Sequence, residues 1–334
     1  MRFVVYLRRV IPALALIGAT LVLAHSVSTH WLSTLIALVM WSCNAVAWNI
    51  ASGYTGIFSL GHHVFFGVGA YTSTMLFLRA GVSPWIGMFL GGLLAALLGA
   101  AVGGVTFRYQ IRGVFLGLTT LALGEVARSV AAGWNWIGGP VGLLLPMSND
   151  PKNFIFIERL PYFYIAFAML LTYLGIAWLI ERSWFGYYLK AIREDEGAAE
   201  ASGVNTYLYK TVALGISAGL TGMVGTFYAQ YMLFIAPDVV FHFDVTLNML
   251  LGVMVGGSGT LFGPVLGSSL FTALGEGLRN LPLAASARVA AGSKMVYAAI
   301  LVITALYMPG GIVGWWQSRR STRTPAREAR PHAA

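Results

Sequence analysis

The stretch from Val10 to Leu78 reads VIPALALIGATLVLAHSVSTHWLSTLIALVMWSCNAVAWNIASGYTGIFSLGHHVFFGVGAYTSTMLFL and contains no Asp, Glu, Lys or Arg. A membrane-spanning helix needs about 20 apolar residues, so this stretch alone is long enough for about three spans. Charged residues make up 10% of the 334-residue chain, against roughly 25% in a soluble domain, and 57% of the residues are hydrophobic. The composition excludes a soluble globular protein and indicates a polytopic helical membrane protein.

The predicted fold class is an all-α integral membrane bundle. We expect about ten (eight to ten) transmembrane helices, with glycine-rich broken or re-entrant segments. They form one membrane domain at residues 1–318, followed by a basic, disordered tail at residues 319–334. The spans are placed at residues 11–28, 31–50, 62–78, 84–106, 113–132, 161–180, 208–232, 244–258, 263–280 and 294–316.

The distribution of basic residues predicts the orientation of the bundle. With the N-terminus inside, fourteen Lys and Arg residues lie on the cytoplasmic side and seven lie at or near the outer face. This excess follows the positive-inside rule, so both termini are expected in the cytoplasm. The net charge of +9 then reflects topology and contact with anionic membrane lipid. Nucleic-acid binding is not indicated, because the sequence has no basic cluster on a soluble domain.

Two glycine-rich stretches interrupt the apolar pattern: Gly53 to Gly69 (GYTGIFSLGHHVFFGVG) and Gly256 to Pro264 (GGSGTLFGP). Irregular backbone at membrane depth is tolerated only where it is buried in protein or lines a cavity. We therefore predict that both stretches line a translocation path and meet near the bilayer midplane. The alternative is a tight helix break that serves topology alone. The predicted path residues are Gly53, Tyr54, Gly56, Ser59, Gly61, His62, Phe65, Gly67, Tyr71, Glu125, Gly256, Gly257, Gly259, Thr260 and Gly263.

The sequence offers no energy source within the chain. No lysine follows the glycines that a phosphate-binding GxxxxGK[ST] loop requires, so no P-loop is present. Glu125 and Glu276 are the only acidic residues well inside predicted spans, and each is followed three positions later by an arginine, Arg128 or Arg279. Such pairs neutralise themselves locally, although a role in the path stays open. The energy is therefore expected from another subunit that docks from the cytoplasm.

One compact charged insert, SWFGYYLKAIREDEGAAEASGVN at Ser183 to Asn205, carries four of the twelve acidic residues. Charges cost roughly 2.5 to 3.5 kcal/mol each at the centre of a membrane helix, so the insert is an aqueous loop, placed at residues 182–207. Lys190 to Glu200 favours a short helix, small alanines permit close contact with a partner, and Gly203 provides a helix stop. This pattern predicts a helix that docks in a groove of an ATP-binding subunit; the alternative is a merely solvated loop.

The insert resembles the EAA coupling loop of ABC importer permeases, in the form found in the LivM branch of branched-chain amino-acid permeases. Where the EAA motif places its glutamate this chain has Gly197, so the motif is not reproduced exactly. Other blocks agree in order and spacing with the family: GYTGIFSLGHHVFFGVGAYT at 53–72, RGVFLGLTTLALGEVAR at 112–128, GGPVG at 138–142 and LLGVMVGGSGTLFGPVLG at 250–267. Near the GGPVG block, Ile137 and Val141 replace the Thr and Asn that are frequent in the family, which puts substrate preference in doubt.

The resemblance implies a multi-pass permease subunit in the bacterial inner (plasma) membrane, without catalytic residues, a metal site or a cofactor of its own. Its implied partners are a homologous second permease (LivH-like), two cytoplasmic subunits (LivG/LivF-like) that bind ATP and Mg²⁺, and a periplasmic substrate-binding protein. The implied substrates are branched-chain or other hydrophobic amino acids. Coupling to the ATPase is assigned to Glu194, Asp195, Glu196, Ala198, Ala199, Glu200 and Gly203.

Other interpretations of the function remain open beside this resemblance. Relatives of the same architecture move urea, short amides, aromatic acids or nucleosides. A passive channel would need a continuous polar lining but no docking loop. A membrane enzyme would need a convergent acid/base or metal set, and His62 and His63 do not supply one because adjacent residues face different ways on a helix.

Overall fold

The computed structural model of the chain describes residues 28–147, 149–279 and 311–314. These residues form an α-helical bundle with one two-stranded antiparallel sheet, β1 (Leu143–Leu144) paired with β2 (Phe234–Ile235). The helices are α1 (Thr29–Trp48), α2 (His62–Ala80), α3 (Pro84–Arg108), α4 (Gly113–Gly133), α5 (Leu160–Arg182), α6 (Trp184–Glu194), α7 (Glu196–Ala201), α8 (Thr206–Met232), α9 (Pro237–Val240), α10 (Phe243–Gly256) and α11 (Gly263–Arg279).

Six helical runs in the described part of the chain are long and apolar enough to cross a membrane: Thr29–Gly53, Pro84–Arg108, Gly113–Gly133, Leu160–Arg182, Thr206–Met232 and Pro237–Gly256. The expected all-α membrane bundle is confirmed, but the count of about ten spans is not. The predicted spans at 11–28 and 294–316 lie almost entirely outside the described residues. Helix α11, placed as a span at 263–280, has 17 residues and is not among the six.

Helix α8 lies at the centre of the bundle, packed against α3, α2 and α1. Small residues make this packing close: a Cβ atom added to Gly99 of α3 would lie 2.4 Å from Ala218 Cβ, and one added to Gly225 would lie 2.0 Å from the Phe66 carbonyl oxygen. Helices in lipid associate through such van der Waals contact, because lipid removes the hydrophobic drive between them. The small residues of α3 and α8 therefore serve helix packing.

The loops gather at two ends of the bundle. At the first, called the β end, Leu145 N donates to Leu233 O at 2.9 Å and Ser83 Oγ donates to Lys152 O at 2.6 Å. At the other, called the α6 end, Arg112 lies 3.6 Å from Glu196. Successive long helices run between these ends, as the predicted threading requires. Which end faces the cytoplasm stays a prediction.

Helices α10 and α11 pack against each other as a hairpin around the second glycine-rich stretch. The turn is tight, because a Cβ atom added to Gly256 would lie 1.7 Å from the Gly263 carbonyl oxygen, and Gly257 adopts a φ of 126°. Only glycine occupies such a backbone region without strain. The break predicted at Gly256 to Gly263 is thus present as a turn between two helices of 14 and 17 residues.

Candidate functional site

The charged insert forms two short helices, α6 and α7, where the sequence led us to expect one. Asp195 adopts an extended conformation (φ −156°) and interrupts the helix, and its side chain accepts a hydrogen bond from Ala198 N at 2.9 Å. Asp is among the best N-cap residues because its carboxylate satisfies a free backbone donor of the first turn. Asp195 therefore ends α6 and begins α7. Ser183 caps the start of α6 in the same way through Gly186 N.

The predicted helix stop after α7 is confirmed. Gly203 has a φ of +87°, its backbone nitrogen donates to Glu200 O at 2.9 Å, and Val204 N donates to Ala199 O at 3.0 Å. This pair of bonds is the Schellman arrangement, which satisfies the last carbonyls of a helix and favours glycine in the left-handed position. A Cβ atom added to Gly203 would meet nothing within 4 Å. Within this chain, the glycine is needed for its backbone conformation and not for close contact.

The two central alanines of α7 differ in exposure. Ala198 is exposed, whereas Ala199 is 5% exposed and belongs to the interior of the chain. The expectation that both offer a small surface to a partner is therefore wrong for Ala199 in this conformation. The acidic side chains of Glu194, Asp195 and Glu200 lie on exposed residues, with Glu200 Oε1 accepting from Thr206 Oγ1 at 2.5 Å.

Glu196 turns back toward the bundle and forms an ion pair with Lys210 of α8. The Lys210 side chain is 8% exposed, and its ammonium also lies 4.8 Å from the centre of the Phe107 ring. Arg112, between α3 and α4, is a second cation near the same Glu196 oxygen. A buried charge is stable only when it is paired, so this contact holds α7 against the central helix.

The first glycine-rich stretch begins in a π-helical turn, Asn49–Gly53, that continues α1. Gly53 and Tyr54 are buried, whereas Gly56 is exposed and has a φ of +75°. Asn49, 1% exposed, joins this turn to the second stretch: its Oδ1 accepts from Gly259 N at 2.9 Å and its Nδ2 donates to Thr260 O at 3.0 Å. The two predicted path segments are therefore in contact.

This contact lies at the α6 end of the bundle. Whether it lies near the bilayer midplane stays a prediction. Arg193, near the end of α6, donates from Nη1 to Gly53 O at 2.7 Å and to Ser258 O at 3.3 Å. Thr260 fixes the second turn by donating to Gly257 O at 2.8 Å and accepting from Gly263 N at 3.1 Å.

The path residues of α2 lie in the packed interior. His62 is fully buried, with Nδ1 2.9 Å from Ser59 Oγ and Nε2 2.9 Å from Ser217 Oγ. Its neighbour His63 instead pairs with Thr246 Oγ1 at 2.9 Å, which confirms that the two imidazoles face different ways.

Close helix contacts surround the remaining path residues of α2. The Phe65 ring lies 5.3 Å from that of His62, and Tyr71 stacks on Phe241 at 5.6 Å. A Cβ atom added to Gly61 would lie 2.3 Å from Thr120 O, and one added to Gly67 would lie 2.3 Å from the Phe241 ring. In this conformation these residues serve packing, and their place on a path stays a prediction.

Glu125 pairs with Arg128, and this arginine is shared with a second carboxylate. Arg128 donates to Glu125 Oε2 from Nε at 3.0 Å and to Asp238 of α9 from Nη1 at 2.7 Å. The expected i, i+3 pair is present, with a second carboxylate added from another element. The Arg279 side chain, expected to pair with Glu276, lies outside the described residues.

Arg193 and Asn49 are the site residues that sequence reasoning missed. In the sequence, Arg193 is one cation of the charged insert and Asn49 is one polar residue in an uncharged span. The sequence does carry one signal for Asn49, because a buried amide in an apolar helix needs partners. Nothing local indicates the contacts of Arg193, whose partner Gly53 lies 140 positions away.

Comparison with known proteins identifies the family. The family model described as "Branched-chain amino acid transport system / permease component" matches residues 30–305. The high-affinity branched-chain amino acid transport system permease protein LivM of Escherichia coli is 27% identical over 294 residues, covering 79% of this chain. The chain spans 65% of the length of that relative.

Permeases named for other substrates are also similar. The autoinducer 2 import system permease protein LsrC of Salmonella typhimurium is 24% identical over 78% of this chain and 75% of its own length. The nucleoside ABC transporter permease protein NupC of Lactococcus lactis is 28% identical over 52% of this chain and 59% of its own length. No solved structure shows significant similarity to the chain. The family match and the apolar helices show that this multi-pass membrane protein belongs to the family of permease components of branched-chain amino acid transport systems.

Proposed function

We propose that the chain is the transmembrane permease subunit of an ABC importer for branched-chain or other hydrophobic amino acids. ATP hydrolysis is assigned to two separate cytoplasmic subunits, and the path is assigned to this chain together with a homologous second permease. A periplasmic binding protein is the further partner and binds the substrate outside. The α6 end then faces the cytoplasm and the β end faces the periplasm. Both termini lie in the cytoplasm, and ATP and Mg²⁺ are bound by the partner subunits.

The observation that carries the proposal is the position of α6 and α7. These short helices project an exposed acidic surface (Glu194, Asp195, Glu200) at one end of the bundle, and Arg193 of the same element contacts both glycine-rich breaks. A docking surface joined directly to irregular backbone between helices is suited to transmit movement into the bundle. A passive channel has no need of such a surface.

The exposed apolar faces of α3 and α4 support a second permease or lipid as neighbours. Phe89, Leu93 and Leu97 of α3 and Phe115 and Leu118 of α4 are all more than half exposed in the isolated chain. Apolar faces of this size in a membrane protein are covered by acyl chains or by another subunit. Because two of the similar permeases are named for nucleosides and autoinducer 2, the substrate class is the part of the proposal to be tested first.

The test is uptake by proteoliposomes that contain the permease, its second permease and both ATP-binding subunits, with ATP inside and the binding protein outside. Radiolabelled leucine and radiolabelled adenosine are compared, with unlabelled valine as competitor. We expect leucine to accumulate only with ATP and binding protein, and valine to reduce it. Accumulation of adenosine in place of leucine would reassign the substrate, and leucine entry independent of ATP would reject the importer.

A further inference from the structure

Arg193 joins α6 to two helix ends that are distant in sequence. Gly53 is the last residue of the π-helical turn after α1, and Ser258 follows the C-terminus of α10. Carbonyl oxygens in the last turn of a helix, such as that of Gly53, lack partners within the helix and carry the negative end of the helix dipole. The Arg193 guanidinium donates to the Gly53 oxygen at 2.7 Å and to the Ser258 oxygen, just past α10, at 3.3 Å, and both are charge-assisted hydrogen bonds.

Gly259 in the second break makes room for this side chain. A Cβ atom added to Gly259 would lie 1.8 Å from Arg193 Nη1, whereas one added to Gly56 would lie 3.4 Å from Arg193 Cγ, an ordinary van der Waals distance. Gly259 also has a φ of +74°, which an L side chain rarely adopts. The glycine at this position is thus explained by the passage of the arginine and not by a substrate.

The two breaks are held to each other without Arg193. Asn49 is buried in the π-helical turn that continues α1. Its side-chain amide accepts a hydrogen bond from Gly259 N and donates one to Thr260 O. Arg193 is therefore a separate connection: its loss removes these hydrogen bonds from α6 to the breaks but leaves the hydrogen bonds between the breaks in place. This separation lets a single substitution remove the transmission while the bundle keeps its packing.

We propose that Arg193 is the positioning residue that transmits movement of α6 to both glycine-rich breaks. The proposal rests on the proposed function, in which an ATP-binding subunit docks on α6 and α7. When that subunit moves α6, the guanidinium displaces the Gly53 and Ser258 carbonyls together. The backbone of the second break can follow, because Gly257 and Gly259 already occupy conformations that other residues resist.

The test measures uptake and ATP hydrolysis in the same proteoliposomes of the complete transporter. Arg193→Ala is compared with Arg108→Ala, which removes an exposed cation at the C-terminus of α3, outside α6 and α7. We expect Arg193→Ala to keep hydrolysis but to lower the uptake per ATP by about tenfold, within the usual range of coupling between sites. Arg193→Lys, with one ammonium in place of the planar guanidinium, is expected to be intermediate. Arg108→Ala is expected to match the wild type.

The ratio of uptake to hydrolysis separates transmission from folding, because loss of folded protein lowers both rates equally. If Arg193→Ala fails to fold, two other variants test the role of Arg193. Gly259→Ala displaces the guanidinium, and Arg193→Lys provides a shorter side chain. Wild-type uptake per ATP in Arg193→Ala, or in both of these other variants, would overturn the role of Arg193. Wild-type proteoliposomes that show no ATP-dependent uptake of any probe would instead reject the proposed function.

Discussion

Lys210 on the central helix α8 and Glu196 at the start of α7 form an ion pair in which the lysine is buried and the glutamate is partly exposed. The charged insert is thus anchored to the bundle at α7 and contacts the glycine-rich breaks at α6. Because the Lys210 side chain is only 8% exposed, the pair is shielded from solvent more than the Lys190–Glu181 pair, whose side chains are 43% and 32% exposed. The anchor fixes α7 while the end of α6 holds the contacts of Arg193.

The anchor predicts an asymmetric response to substitution. Glu196→Ala leaves a buried ammonium without its partner and is expected to cost about 3 kcal/mol, whereas Lys210→Met replaces the charge with an apolar side chain and costs less. The double variant is expected to be more stable than Glu196→Ala alone. Thermal unfolding of the purified permease in detergent measures this order, with Glu181→Ala as the exposed-pair control. A double variant no more stable than Glu196→Ala would contradict the pairing.

Gly61 and Gly175 differ in the space that surrounds them. Gly61→Ala places a Cβ atom 2.3 Å from the Thr120 carbonyl oxygen, while Gly175 of α5 has nothing within 4 Å of the same position. We expect Gly61→Ala to destabilise the protein, because backbone must shift. Gly175→Ala is expected to stabilise α5 by about 0.5 to 1 kcal/mol, because alanine favours helix interiors. The melting temperatures of both variants check this, and equal values would show that α2 and α4 do not approach as closely as described.

The orientation of the bundle is tested by thiol labelling. Asn153 lies near the β end, in the turn where Lys152 O bonds to Ser83, and Glu200 lies at the α6 end. The native Cys43 is buried and gives little background. In intact cells, a membrane-impermeant maleimide is expected to label Asn153→Cys and not Glu200→Cys. The reverse pattern would place the α6 end outside the cell.

The hydropathy of the sequence predicted much of the fold, because a membrane span is a continuous apolar stretch that is bounded by polar or turn residues. The spans predicted at 84–106, 113–132 and 161–180 correspond to Pro84–Arg108, Gly113–Gly133 and Leu160–Arg182. The helix stop at Gly203 could be predicted for the same reason, since a left-handed C-terminal glycine is a local motif. The break at Asp195 was missed because a capping aspartate within a helix-favouring run competes with propensity.

The site itself depended on contacts that no local pattern encodes. Asn49 meets Gly259 across 210 positions, and Arg193 meets Gly53 across 140. The glycine content indicated that both stretches were irregular, but not that they would meet at the end of the bundle beside α6. That placement depends on where a 25-residue helical run ends in space, which follows from the packing of the whole bundle.

The central claim is that the exposed face of α6 and α7 receives an ATP-binding subunit. The most direct measurement places the photoreactive residue p-benzoylphenylalanine at Ala198, which is exposed at the α6 end, and separately at Asn153 near the β end. After irradiation of membranes that contain the assembled transporter, the cross-linked partner is identified by mass spectrometry. We predict a cross-link to an ATP-binding subunit from position 198 and none from position 153. Cross-linking of that subunit from position 153, or its absence from position 198 in an assembled and active transporter, would contradict the account.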